Sequence, residues 1–286
     1  MVDVQGYLAR LGLEHPGPPS AAGLAALHRA HVERVAYTTL DIHLGRPVGI
    51  APAAAARHLV EVGRAGYCLH LNSALSALLK ALGYRVRWHV GGVQRHVDPE
   101  PVGATANHLT LTVSGLPTPA CPDGVWLVDV GLGDGPHEPI PLRPGAHGQP
   151  PFSYRLAPSA VVDGGWRFEH DPSGSFAGMD FAPAVAGPSH FAASHAWMST
   201  SPESGFVRVL TAARRHGGGF DRLRGLQLQR VDAYGCREDE LARPAEWFAA
   251  LAEVFGLHLA DVDPDRRRAL WRRVRRGHRQ WLDAQA

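Results

Sequence analysis

The most constraining feature of this chain is a change of hydrophobic period near residue 84. Up to Gly83 apolar residues recur at helical spacing, and beyond it they alternate. Leu71, Leu75, Leu78, Leu79 and Leu82 stripe one face of the segment after Cys68, and Gly83 stands where a left-handed C-terminal cap belongs, which predicts a helix. Two more helices are expected before it. Ala21 to Val35 has Ser20 as N-cap and Leu24, Leu27, Ala30, His31 and Val35 in phase, and Ala53 to Val62 is ended by Gly63. Asp41 to Pro52, punctuated by Gly45, Pro47 and Gly49, reads as a loop. After Gly83, Val86, Trp88 and Val90 alternate within Tyr84 to Val93, as do Leu109, Leu111 and Val113 within His108 to Val113. Trp126 to Val130, Phe152 to Leu156 and Trp166 to His170 follow between Pro and Gly turns, the spacing of a small β barrel or sandwich. Beyond Gly187 the pattern is mixed. Phe206 to Leu210 and Leu226 to Val231 read as strands, and Pro244 to Phe255 and Pro264 to Leu282 as helices.

Composition excludes several classes. With 286 residues, 45% of them hydrophobic, the chain can bury a real core, and its 32 Gly and 23 Pro, roughly a fifth of the total, mark turns rather than low complexity. A net charge of +2 gives no global attraction to nucleic acid or membranes. Lys80 is the sole lysine, a bias that GC-rich coding explains better than function. No basic stretch leads into an apolar run at the N-terminus, and no run of about 18 apolar residues occurs, so neither export by a simple signal nor a membrane span is expected. Three scattered cysteines, Cys68, Cys121 and Cys236, do not make a disulfide framework and fit a reduced, cytoplasmic protein.

Of the three, Cys68 has the setting for chemistry. It falls in the first turn of the leucine-striped helix, where unpaired N–H groups and the helix dipole favour an anion. A small buried hydrophobe is the competing reading, and Cys121 and Cys236 keep it. A nucleophilic thiol needs a base and a group that orients the base. His108 begins one expected strand and Asp129 ends another, inside an apolar run where a carboxylate requires a partner. If those strands pair antiparallel, the carboxylate can face the imidazole, and the order Cys, His, Asp is papain-like. With 17 His in the chain, spacing alone leaves this open. Gly131-Leu-Gly133 is no dinucleotide fingerprint, since Pro136 and Pro139 preclude a helix there. His28 and His31 lack partners at metal spacing and read as surface residues, so no metal is expected.

The segment Arg64-Ala-Gly-Tyr-Cys-Leu-His-Leu-Asn72 resembles the Arg-Gly-Gly-x-Cys-x-Glu-x-Asn motif of the arylamine N-acetyltransferase family, which includes amide-synthase relatives. Tyr37-Thr-Thr-Leu-Asp-Ile-His-Leu-Gly-Arg-Pro47 is similar to that family's Phe-Glu-Asn-Leu-Asp stretch. Asn107-His108, Val128-Asp-Val-Gly131 and Ser199-Thr-Ser-Pro-Glu-Ser-Gly-Phe206 follow in family order. The resemblance implies an α+β fold in three parts: a helical bundle (residues 1–84), an antiparallel β barrel (85–189) and an α/β lid (190–286). It implies Cys68 as nucleophile, His108 as base and Asp129 as orienting carboxylate. The activity implied is ping-pong acyl transfer from acetyl-CoA or another acyl-CoA to a small-molecule amine, with no permanently bound cofactor. Tyr37, Leu132, Phe206 and His70 fall at acceptor-side positions, and Ser199, Thr200 and Ser201 border the pantetheine path, unless they only cap a turn before Pro202.

Three departures from the family pattern matter: His70 stands for Glu, Ala65 for the second Gly, and Leu132 for a Phe. A histidine at 70 could bond differently or titrate near the ordinary pH of about 6.5. Leu132 removes one aromatic wall. These departures, with eight Arg between Arg266 and Arg279, suggest an alternative: an amide synthase taking an acyl chain from an acyl carrier protein docked on the basic helix. Thiol hydrolysis, with water as acceptor, and a binding module that kept the scaffold are further rivals.

Overall fold

The computed structural model describes residues 2–283. Its N-terminal part contains α1 (Val4–Leu11), α2 (Ala21–Arg34), the two-residue strand β1 (Tyr37–Thr38), α3 (Leu40–His43), α4 (Pro52–Val62) and α5 (Cys68–Ala81). Ser20 caps α2 by accepting the Gly23 N–H at 3.0 Å. Helix α1 is an addition to the sequence reading. Asp3 caps it and Gly12 ends it at φ 60°, but eight residues are too few to display a period. The expected loop over 41–52 also begins later than foreseen, because α3 forms one turn there and Pro52 is the first residue of α4.

Every residue of α5 from Cys68 to Leu79 is buried, so this helix is central to the fold rather than laid on its surface. Its polar members must find partners inside, and Ser76 Oγ accepts from Trp88 Nε1 at 2.6 Å. Helix α4 covers one side of α5 and the barrel strands cover another.

Those strands are β2 (Arg85–Gln94), β3 (His108–Ser114), β4 (Trp126–Val128), β5 (Ile140–Pro141), β6 (Gly145–Gln149), β7 (Phe152–Pro158), β8 (Trp166–Glu169) and β9 (Gly178–Phe181). They form one sheet in the order β5-β4-β3-β2-β9-β8-β7-β6, with all neighbours antiparallel. Residues 142–144 alone separate the edge strands β5 and β6, and the sheet curls into a nearly closed barrel. Phe152, Tyr154, Phe168 and Phe181 fill its interior.

Next come α6 (Ala192–Thr200), α7 (Gly205–Arg208), β10 (Thr211–His216), β11 (Gly219–Arg224), β12 (Gln227–Asp232), β13 (Gly235–Glu240), α8 (Pro244–Glu253) and α9 (Pro264–Asp283). The strand expected over Phe206 to Leu210 is instead α7. Ser204 Oγ accepts the Phe206 N–H at 3.2 Å, and the Val207 and Arg208 N–H groups turn back to the Ser204 carbonyl. The second sheet runs β1-β10-β11-β12-β13, and its edge strand comes from Tyr37 and Thr38, paired with Ala213 and Ala212. Residues near the N-terminus are thereby stitched to the C-terminal sheet. No helix among the described residues is long and apolar enough to cross a membrane.

His28 and His31, expected at the surface, are fully buried. His31 Nε2 accepts from the Tyr7 hydroxyl at 2.8 Å. Burial holds both rings neutral, pushing His28 down to about 4 and His31 to about 3. Below pH ~6.5 the unfolded chain takes up protons that these folded rings refuse, so stability falls as pH drops from there toward 4, by roughly 1.4 kcal/mol per pH unit per ring. Thermal unfolding across pH 7 to 4 is expected to show this decline, with a shallower slope in His31→Gln. An unchanged slope in that variant would assign the loss to carboxylates instead.

Candidate active site

The site begins at the tip of α5. Tyr67 precedes the helix with extended backbone and gives it no side-chain cap; the His70 N–H turns back to the Tyr67 carbonyl at 2.8 Å, which leaves the N–H groups of Cys68 and Leu69 open. The chain reaches this point through Gly66, whose φ of 118° belongs to glycine and whose missing Cβ would lie 2.8 Å from His70 Nδ1. Arg64 anchors the approach. Its Nε and Nη2 donate to Asp41 at 3.0 and 2.7 Å, and its Nη1 and Nη2 to Asp261 at 2.8 and 2.9 Å. The ion pairs outweigh the desolvation of Asp41, with His58 and Arg64 holding its carboxyl below the usual range, and Arg64 brings Asp261 down to about 2.

Opposite the helix tip stand β3 and β4, antiparallel with Leu111 facing Val128 and Thr112 facing Leu127. One step beyond this register Asp129 comes opposite Thr110, which makes His108 its diagonal neighbour on the same face. His108 Nε2 lies 2.7 Å from Asp129 Oδ2. Asp129 Oδ1 accepts from Asn72 Nδ2 at 2.8 Å and from the Gly131 N–H at 2.9 Å. Asn72, one turn after Cys68 on α5, also donates to the Leu109 carbonyl at 2.6 Å and accepts from the Val130 N–H at 3.0 Å. His28 donates from Nδ1 to the His137 carbonyl and accepts the Asp129 N–H at Nε2, which fixes its neutral tautomer.

Cys68 Sγ reaches toward the Asn107 carbonyl at 3.7 Å, beside His108. Burial opposes a charge on the His108 ring, but Asp129 and then Cys68 overcome it and raise the imidazole to about 10. Asp129 is depressed in turn: His108, Asn72 and the Gly131 N–H outweigh its desolvation. The buried carboxylate thus favours the charged form of the His108 ring. Its Nε2 is committed to Asp129, and Nδ1 is the nitrogen left for the sulfur. The structure thus places Cys68, His108 and Asp129 around one point where α5 meets the barrel.

Tyr37 and Phe206 also meet, edge to face with centroids 6.3 Å apart, and Phe206 packs on Tyr67 at 5.0 Å. Leu132 lies elsewhere, against the barrel cluster. His70 is buried, with Nε2 donating to the Val48 carbonyl at 2.7 Å, and burial pushes it down to about 4, so it is neutral rather than poised near 6.5. Ser199 and Thr200 direct their hydroxyls to carbonyls within α6, each at 2.7 Å, and Ser201 Oγ accepts the Glu203 N–H at 3.2 Å. Among the described residues no three His, Cys, Asp or Glu side chains converge as metal ligands.

Sequence reasoning gave no role to Asn72, Tyr67 or His195. For Asn72 the i, i+4 spacing from Cys68 was the available signal. Tyr67, whose pKa burial raises, donates to His195 Nδ1 at 2.6 Å, a pairing that joins positions 128 residues apart and leaves no local trace.

Gly131 is the tightest point of the assembly. A Cβ there would lie 2.7 Å from Asn72 Nδ2 and 2.8 Å from Cys68 Cα. Gly131→Ala is expected to push the helix tip off the sheet, lowering stability by about 1–3 kcal/mol and slowing alkylation of Cys68 by iodoacetamide. Asn72→Ala should cost a similar amount, about 1–3 kcal/mol, by leaving the Val130 N–H and one Asp129 lone pair without a partner. Denaturant melts and peptide mapping read both effects, and wild-type behaviour of both variants would refute this account of the junction.

A family model described as N-acetyltransferase matches residues 21–263. The arylamine N-acetyltransferase of Mycobacterium tuberculosis is 30% identical over 91% of this chain and 91% of its own length. That of Mycolicibacterium smegmatis is 31% identical, covering 91% of this chain and 94% of the relative. Among solved structures, Mycobacterium marinum arylamine N-acetyltransferase in complex with CoA superposes with a TM-score of 0.83 at 29% identity, over 95% of this chain and 98% of that one. With the family model spanning most of its length and the same architecture in these relatives, the chain belongs to the arylamine N-acetyltransferase family and is an acetyltransferase.

Proposed function

We propose that the protein moves an acetyl group from acetyl-CoA to an amine in two half-reactions at Cys68. The observation that carries this reading is the geometry of His108, whose Nε2 lies 2.7 Å from Asp129 Oδ2 and whose strand begins beside Cys68 at the tip of α5. In the first half-reaction the Cys68 thiolate attacks the thioester carbonyl and forms a new carbon–sulfur bond. The first-turn N–H groups of α5 are the donors for the oxyanion that develops. As the intermediate collapses, the carbon–sulfur bond to CoA breaks, and the CoA thiolate takes the proton of the His108 imidazolium. The enzyme is left acetylated with His108 neutral. An amine then attacks the acetyl carbonyl, His108 accepts its proton, and the Cys68 thiolate departs as the amide leaves.

Asp129 fixes the orientation of the ring and stabilises its charge throughout. The aromatic walls Tyr37, Tyr67 and Phe206 suit a flat acceptor. An arylamine fits in chemistry as well, because it is neutral and nucleophilic near pH 7. CoA, the ligand of the solved Mycobacterium marinum relative, supports CoA as the acyl carrier. A carrier-protein thioester, the alternative, rests on His70, Leu132 and the basic α9. Cys68, Cys121 and Cys236 are free thiols, which suits a reducing compartment, and we place the enzyme in the cytoplasm.

Intact mass spectrometry after mixing with acetyl-CoA is expected to show a gain of one acetyl group, mapped to Cys68 and discharged by an arylamine. Cys68→Ala should give no adduct, and Asp129→Asn should lower kcat by roughly 10²–10⁴. Iodoacetamide should label Cys68 ahead of Cys236, although Cys236 is exposed and Cys68 is buried. An adduct on another residue, or equal and slow labelling of all three cysteines, would overturn the assignment.

A further inference from the structure

A second feature lies outside the thiol site, in an open cleft of about 480 Å³ between the end of α3 and one face of α9. Arg46, Arg266, Arg273 and Arg276 line it together with His43, and no carboxylate does. On α9 the three arginines fall on a single stripe with Ala269 and Leu270 between them, and the small Ala269 leaves the space open. Arg273 and Arg276 are three residues apart on α9, a spacing at which like charges repel. Asp261 pairs with Arg46 at 2.9 Å but is already clamped by Arg64, and Asp263 reaches Arg266 Nε only at 3.4 Å. Among the described residues, Arg273 and Arg276 pair with no carboxylate.

One buried donor in the wall is also unmet: Arg46 Nε has no partner. His43 donates from Nε2 to the Phe206 carbonyl at 3.0 Å, and burial pushes it down to about 4, so the ring is neutral and its Nδ1 lone pair has no proton to offer an anion. A cleft with several forked cations and unfilled hydrogen-bonding capacity matches the chemistry of phosphate, whose oxygens accept in pairs from guanidinium. Its volume, set against roughly 30 Å³ for one water, exceeds what a single phosphate fills.

We infer that this cleft binds a phosphorylated small molecule carrying at least two phosphate groups. Two sources share that chemistry: the nucleotide end of CoA, and a free phosphorylated metabolite that binds independently of acyl transfer.

Isothermal titration of the full chain with pyrophosphate and with adenosine 3′,5′-bisphosphate tests the site. At least one is expected to bind, and Arg273→Gln combined with Arg276→Gln should weaken it tenfold or more, the loss of about one charged hydrogen bond or more. Arg279→Gln, on the same helix but outside the cleft, should leave binding unchanged. Should the double variant lose its circular-dichroism signature, Arg276→Gln alone, at an exposed position, gives the same comparison. A raised KM for acetyl-CoA at constant kcat in the cleft variant would name the CoA nucleotide as occupant, and an unchanged KM a separate phosphorylated ligand. Absence of binding by wild type at millimolar concentration, or equal binding by the cleft variant, would overturn the inference, while acetylation of Cys68 stands or falls by its own measurement.

Discussion

Everything around the thiol depends on one carboxylate kept out of water. The side chain of Asp129 has no solvent exposure, and an ionised carboxylate in such a place is tolerated only if its lone pairs are answered by donors. Three elements supply them: His108 from β3, Asn72 from α5, and the Gly131 N–H from the loop after β4. The need of a single buried charge thus draws a helix, a strand and a loop to one point. It also favours the charged form of His108, because a nearby carboxylate stabilises the imidazolium. Structure and proposed chemistry rest on the same hydrogen bonds.

A second ionic centre acts on the other side of the sulfur. Arg64 joins the approach to α5 with Asp41 of α3 and with Asp261, just before α9. The run from residue 64 to residue 72 is therefore fixed at one end by Arg64 and at the other by Asn72, with Cys68 midway. Because small displacements of a nucleophile are costly in rate, a thiol on a loop without such anchors would be a poorer choice than one held between them. β1 adds a third restraint: the Thr38 N–H bonds the Gly66 carbonyl at 2.8 Å while Tyr37 and Thr38 pair with β10.

How much of this was legible in the sequence follows from where the information is stored. The leucine stripe of α5 and the alternation within β2 and β3 are local periods, so those elements could be read directly. α7 could not, because Phe206 to Leu210 looks like a short strand and only the Ser204 cap turns it into a helical turn. β1 is too short to carry any period, and its partners, Ala213 and Ala212, lie far along the chain in β10. The burial of His28 and His31 was hidden for a related reason: Tyr7, His137 and Asp129, the partners of His31 Nε2 and of both His28 nitrogens, are remote in the chain. Cys68, His108 and Asp129 could be picked out as candidates by residue type, helix position and family resemblance. What tied them together, the three-way grip of Asn72, could not.

His70 shows how a departure from a family motif is absorbed by its surroundings. The family pattern has a glutamate at this position, and losing a carboxylate near Arg64 would leave a buried cation short of acceptors. Here Asp41 and Asp261 between them occupy the Nε, Nη1 and Nη2 donors of Arg64, so no third carboxylate is called for. What the position does need is a donor, because the Val48 carbonyl points at it, and His70 Nε2 meets that need at 2.7 Å. A glutamate carboxylate would face the same carbonyl with no proton to give. The neutral imidazole also packs edge-on against Tyr67 at 4.5 Å, the residue that leads into α5. The exchange therefore supports the site through packing and a neutral hydrogen bond, and leaves the charge balance around Cys68 to His108 and Asp129.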